Sequence, residues 1–188
     1  IQDNNVIFDN ATITTGTNIP GGTSVGILFD GTKQYNSTID NVTIDAKNGV
    51  GIYLDGSSGT TLNFGGTVAT AGTGAVGIYV KTGNTLNSNN SSFNISNGAV
   101  GVYVDGGTAN LGTTGNLTFN FLAGGGIGVF NNGGNLTLGN NITVTGSGAL
   151  VATATTNGSL SSSGNLNIGE GATGLMGLYD AGLTAAHS

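Results

Sequence analysis

The chain has 188 residues, a net charge of -6 and only 6% charged residues, with three lysines and no arginine. That balance weighs against nucleic-acid binding and against docking on anionic membrane surfaces, since both draw their affinity from lysine and arginine. No apolar run approaches the roughly 18 residues of a membrane-spanning helix, and without cysteine there is no disulfide scaffold.

The first predicted strand, Val25-Gly26-Ile27-Leu28-Phe29, opens a pattern that returns along the whole chain. Copies read Val50-Gly51-Ile52-Tyr53-Leu54, Val76-Gly77-Ile78-Tyr79-Val80, Val100-Gly101-Val102-Tyr103-Val104, Ile127-Gly128-Val129-Phe130 and Met176-Gly177-Leu178-Tyr179, with a degenerate copy at Leu150 to Thr153. From Gly26 to Gly128 the glycines step by 25, 26, 24 and 27 residues. A fixed period with a residue or two of slack signals stacked repeat units whose loops absorb the slack.

Two further registers keep step with the first. One is a leucine that opens a short strand, at Leu62, Leu86, Leu111, Leu136 and Leu160. The other is an apolar-polar-apolar triplet at Val42-Thr43-Ile44, Val68-Ala69-Thr70, Phe93-Asn94-Ile95, Leu117-Thr118-Phe119, Ile142-Thr143-Val144 and Leu166-Asn167-Ile168. All three registers alternate with period two and favour β-branched and aromatic residues, so each predicts a strand with one buried face. Helical periodicity is absent. Glycine and asparagine punctuate the strands, as at Asp55-Gly56, Asp105-Gly106, Gly115-Asn116 and Asn140-Asn141.

Like positions stacking on like positions is a parallel arrangement. The sequence therefore predicts an all-β fold, a right-handed parallel β-helix with three short strands per coil and about seven coils of ~25 residues. Residues 1–188 form a single such segment. The first residue is not methionine and the last ones break off in mid-pattern, so the segment is expected to be a fragment of something longer.

The search for chemistry gives little. Gly72-Thr73-Gly74-Ala75-Val76-Gly77 matches a phosphate-binding fingerprint, yet that motif requires a following helix and a strand is predicted here. The turn aspartates Asp30, Asp55 and Asp105 line up at the repeat spacing, but Lys81 and Asn131 interrupt them and the aspartate-glycine nonapeptide of calcium-binding rolls is missing. A lyase-type active site needs clustered carboxylates with a basic partner. The lone histidine, His187, stands near the end, and Lys33, Lys47 and Lys81 occupy different coils. No catalysis, no cofactor and no metal are expected.

By parity, Val50, Ile52 and Leu54 face the core while Gly51 and Tyr53 face out. The same parity exposes Tyr53, Tyr79, Tyr103, Phe130 and Tyr179 in one column, with Leu28 and Thr153 completing the line, whereas Phe29, Phe64, Phe93 and Phe119 point inward. Such a column either covers the glycines structurally or offers exposed rings to a sugar or a protein. A second outward column is read at Thr43, Ala69, Asn94, Thr118, Thr143 and Asn167.

The repeats Gly74 to Val80 and Gly98 to Val104, with Asn135 to Val144, resemble the passenger repeats of large type V autotransporter adhesins, particularly those of fusobacteria. The resemblance covers nearly the whole chain. It implies extracellular display at the bacterial surface and attachment to a glycan or protein of host cells or other bacteria. It also implies outer-membrane anchoring through a C-terminal translocator barrel that these residues do not include. The alternative is a carbohydrate-active β-helix, polysaccharide lyase- or hydrolase-like, whose active coils lie outside the segment.

Overall fold

Isoleucine, valine and leucine at every second position give each repeat a strand with one face that must leave water. A single coil cannot bury that face alone, so coils stack. A computed structural model describes residues 6–15, 24–31, 34, 36–56, 59–153, 158–162, 166–177 and 184–187. Their strands form two sheets, of 12 and 7 strands, in which neighbours come from successive repeats and pair in parallel. The result is a β-solenoid of about 5 turns, all-β as the periodicity predicts.

The smaller sheet collects Val25–Phe29, Val50–Leu54, Val76–Lys81, Ala99–Asp105, Gly126–Asn132, Ala149–Thr153 and Thr173–Gly177. Along it Ile27, Ile52, Ile78, Val102, Val129 and Val151 pair in one line. All six are buried, and with Phe29, Phe64, Phe93 and Phe119 they belong to a core that runs without interruption to Leu160. The Phe93 and Phe119 rings stack within it at 5.2 Å between centroids.

The larger sheet departs from three short strands per coil. In Asn36–Lys47, Thr61–Ala71 and Thr85–Ser96 the leucine and triplet registers run on as one strand, while Thr108–Leu111 and Leu117–Phe121 are separate. The long strands turn without breaking: the pairing shifts between Ile39 and Val42 and between Phe64 and Gly66. Asn41 and Asn90 sit at this bend with φ of 53° each. Asparagine tolerates that left-handed conformation because its short side chain bonds locally.

Three register expectations are corrected. Val68 and Phe93 lie beside Ile44, not beside Val42, whose partners are Gly66 and, one coil on, Ser91. Ala109, not Leu111, pairs with Leu86 and Leu136. In the degenerate copy Val151 pairs with Val129, which puts Leu150 at the glycine position. The apolar spacing is the same either way, and the bend is marked by residues with no apolar side chain to betray them.

The glycine parity is also corrected. A Cβ on Gly51 would stand 2.6 Å from the Gly77 carbonyl oxygen and 2.8 Å from Ile44 Cγ2, a core atom. One on Gly101 would stand 2.7 Å from the Gly128 oxygen and 2.9 Å from Ile95 Cδ1. The glycines therefore face inward. The ladder pairs Val50 with Val76 and Ile52 with Ile78 and skips the glycine between, so Gly51 and Ile52 turn to the core in succession. Alternation resumes at the outward Tyr53. Val50 and Val76 consequently fall outside the continuous core.

Gly51→Ala and Gly101→Ala are expected to destabilise the chain by about 1–3 kcal/mol each, the usual cost of overpacking. A lower urea midpoint with an unchanged slope is the readout. A midpoint equal to that of the unsubstituted chain would return the glycines to the outer face.

Candidate functional site

Parallel pairing places Tyr53 on Tyr79, Tyr79 on Tyr103 and Tyr103 on Phe130. Ring centroids are 4.8, 4.8 and 5.0 Å apart in turn, close to the strand spacing of roughly 4.8 Å. The backbone repeat thus stacks the rings directly. Tyr79 and Tyr103 are within 5° of parallel, Phe130 tilts by 30°, and Tyr53 meets Tyr79 at 61°, edge to face. All four are half-buried.

One end of the ladder differs from expectation. Leu28 pairs with Tyr53 as read from the sequence. At the other end Ala152 pairs with Phe130, while Thr153 pairs with Asn131 and is buried. Backbone pairing then sets Met176 beside Ala152, and Tyr179 lies outside the described residues.

Beside the rings runs a polar column. Lys81 Nζ lies 2.6 Å from Asp55 Oδ1, and Lys81 pairs with Asp105, which pairs in turn with Asn132. Asn132, not Asn131, therefore continues the aspartate line. Asn131 points inward, donating to the Gly134 and Ser159 carbonyls, and accepts from the Gly134 amide. The Tyr79 hydroxyl donates to Asp105 Oδ2 at 2.8 Å, and Asn132 Nδ2 donates to Asp105 Oδ1 at 2.8 Å. Burial, then the hydrogen bond to Asp105 and its charge, push the Tyr79 phenol well above the ordinary tyrosine value. Burial and the Asp105 charge also raise Tyr103. The hydrogen bond to Asp55 raises Lys81.

Stacking decides what the ridge can offer. The faces of Tyr79 and Tyr103 cover each other, so no sugar ring can lie on those two surfaces. What remains outward is ring edges, hydroxyls, two carboxylates and one ammonium group. The Gly72 to Gly77 fingerprint leads into the strand Val76–Lys81, so no helix N-terminus faces a phosphate there. Among the described residues no group of three or more metal-binding side chains comes together.

The sequence reading missed two polar features on the larger sheet. The second outward column is in fact Thr43, Thr67, Ser92, Thr118, Thr143 and Asn167, two residues earlier than expected at Ala69 and Asn94. Where the long strands bend, Thr43, Thr67 and Ser92 line an open groove of about 520 Å³ with Asn41, Asn90 and Asn116. An amide ladder lies on the neighbouring leg, with Asn87 donating to Asn63 at 3.0 Å and Asn110 donating to Asn87 at 2.9 Å. Reading parity through the bend would have found both.

Folding holds the Tyr79 and Tyr103 phenols protonated beyond the usual tyrosine pKa of about 10, so the unfolded chain loses those protons first. Stability is complete below that pH and falls as pH rises above it. The urea midpoint should therefore decline above about pH 10, and Asp105→Asn should weaken the decline without abolishing it, because burial is the larger cause.

No protein-family model matches the chain, and comparisons with curated proteins and with solved structures find no match either.

Proposed function

We propose that the chain is a segment of a secreted, surface-displayed adhesin passenger, a rod that carries a binding ridge for host cells or other bacteria. In this reading the segment winds right-handed, as crossovers between parallel strands overwhelmingly do. It comprises seven coils of about 25 residues, each carrying the same three strand registers. It performs no catalysis and takes no cofactor. It stands outside the cell, anchored through a C-terminal translocator barrel, and it binds a surface glycan or protein rather than a nucleic acid.

The observation that carries the reading is the aromatic ladder on the outside of a continuous solenoid. Tyr53, Tyr79, Tyr103 and Phe130 remain half-exposed although inward positions for large apolar groups run the length of the core. Rows of partly exposed aromatic rings are a common feature of interaction surfaces. Hydroxyls and ring edges flanked by Asp55, Lys81 and Asp105 favour a protein partner at the ridge. The neutral groove of Asn41, Thr43, Thr67, Asn90, Ser92 and Asn116 has the hydroxyl and amide chemistry that suits an uncharged glycan.

A panel of host cells, partner bacteria and glycans, probed with the isolated chain, tests the proposal. The chain is expected to bind at least one member, and the triple variant Tyr53→Ser, Tyr79→Ser, Tyr103→Ser should lose that binding while keeping a cooperative urea transition. Binding to no member at high concentration would reduce the segment to a stalk. Full binding by the folded triple variant would exclude the ridge. An open reading frame without an export signal and a C-terminal barrel would overturn the passenger assignment itself.

A further inference from the structure

Tyr79 occupies the centre of the ladder, with the rings of Tyr53 and Tyr103 each 4.8 Å away. Its hydroxyl already donates to the Asp105 carboxylate, which Asn132 holds from the other side. A phenol so placed can lose an electron while its proton moves to the neighbouring carboxylate, and the parallel ring beside it shares the resulting radical. Neither feature is needed for a ring that merely covers backbone.

We propose that Tyr79 and Tyr103 are an oxidative cross-linking site, at which a haem peroxidase with hydrogen peroxide joins the two rings into a dityrosine staple between adjacent coils. Each phenol gives up one electron and one proton. The Tyr79 proton passes to Asp105 and from there to solvent, and the Tyr103 proton passes to water. The two phenoxyl radicals couple through the ring carbons ortho to oxygen, forming one carbon–carbon bond. The hydrogens on those carbons then move to the oxygens as the rings regain aromaticity, so both phenols are restored. The protein loses two hydrogen atoms in all, and one hydrogen peroxide accepts them to become two waters.

Geometry selects this pair. The 5° angle between the Tyr79 and Tyr103 planes lays the two phenol rings face to face, whereas the 61° angle at Tyr53 turns an edge towards the Tyr79 face. Phe130 has no hydroxyl and ends the redox-active part of the ladder. The bond would close a loop of 24 residues between strands that otherwise meet through ladder hydrogen bonds and packing. Closing such a loop removes conformational freedom from the unfolded chain and so resists unravelling of the coils.

The test exposes the full 188-residue chain, at a dilution that disfavours contact between molecules, to a haem peroxidase and hydrogen peroxide. Dityrosine fluorescence and peptide mapping by mass spectrometry are the readouts. The expected product is a monomer lighter by two hydrogens, with one peptide joining Tyr79 to Tyr103. Its yield should fall by at least an order of magnitude in the urea-unfolded chain and in Tyr79→Phe, which keeps the ring and hence the stack. Asp105→Asn should slow its formation several-fold. Links only between molecules, links through Tyr35, Tyr53 or Tyr179 instead of the Tyr79–Tyr103 pair, or an undiminished yield in Tyr79→Phe would overturn the proposal. A wild-type rate in Asp105→Asn would do the same.

Discussion

The Gly77 carbonyl oxygen lies 2.6 Å from where a Cβ of Gly51 would be, and the rest of the structure depends on that close approach. With the side chain gone, the strand can turn two successive residues, Gly51 and Ile52, towards the core. Ile44 and Ala46 of the opposite sheet lie directly over the vacated space. The requirement is steric, because none of the glycines in this column needs a left-handed backbone. It repeats at Gly26, Gly77, Gly101 and Gly128, each against the backbone oxygen of the following coil. The kink in turn fixes which side Tyr53 and its counterparts occupy, so the position of the outer ridge follows from the inner packing.

Parallel stacking in register makes every outward residue a member of a ladder, for good or ill. Aromatic rings gain, since roughly 4.8 Å is a comfortable stacking distance. Asparagines gain as well, since each amide can donate up or down the column, as Asn63, Asn87 and Asn110 do. Carboxylates lose. Like charges at that spacing repel by about 1 kcal/mol even in water. From Asp55 onward the column sets an ammonium group between two acids and an amide after the second, whereas Asp9 and Asp40 pair directly on neighbouring strands. A charge of one sign repeated in every coil would oppose the stacking that holds the coils together.

The legible part of the fold was whatever bears a distinctive side chain once per coil. Ile52, Ile78 and Val102 announce one core column, and Tyr53, Tyr79 and Tyr103 announce the ridge. Glycine could not announce its side. In Val50-Gly51-Ile52-Tyr53-Leu54 the letters alternate without a fault, and only the packing of Gly51 against Ile44 reveals that the alternation breaks. The register slip at Val68 has a related origin: Gly66 and Ser91 stand at the bend where other coils have Val42 or Leu117. Ser91 is buried there with its hydroxyl paired to that of Ser88 at 2.7 Å. The bond between Tyr79 and Asp105 joins residues one coil apart, and period and parity do not specify which rotamers meet.

A ridge whose rings pack on one another is a different object from a row of free aromatic platforms. Its largest apolar surfaces are spent within the molecule, and they stabilise the ladder together with the strands beneath it. Chemistry is thereby displaced to the rim, where hydroxyls and edges meet the column of Asp55, Lys81 and Asp105. That rim is polar and directional, because Tyr79 and Tyr103 each have ring neighbours on both sides. Recognition there would depend on hydrogen bonds and charge more than on apolar area. The same fixed rings, set against a carboxylate, are what turns Tyr79 from a packing residue into one with reactive potential. Stability and reactivity on this face therefore have a single origin in the spacing of the coils.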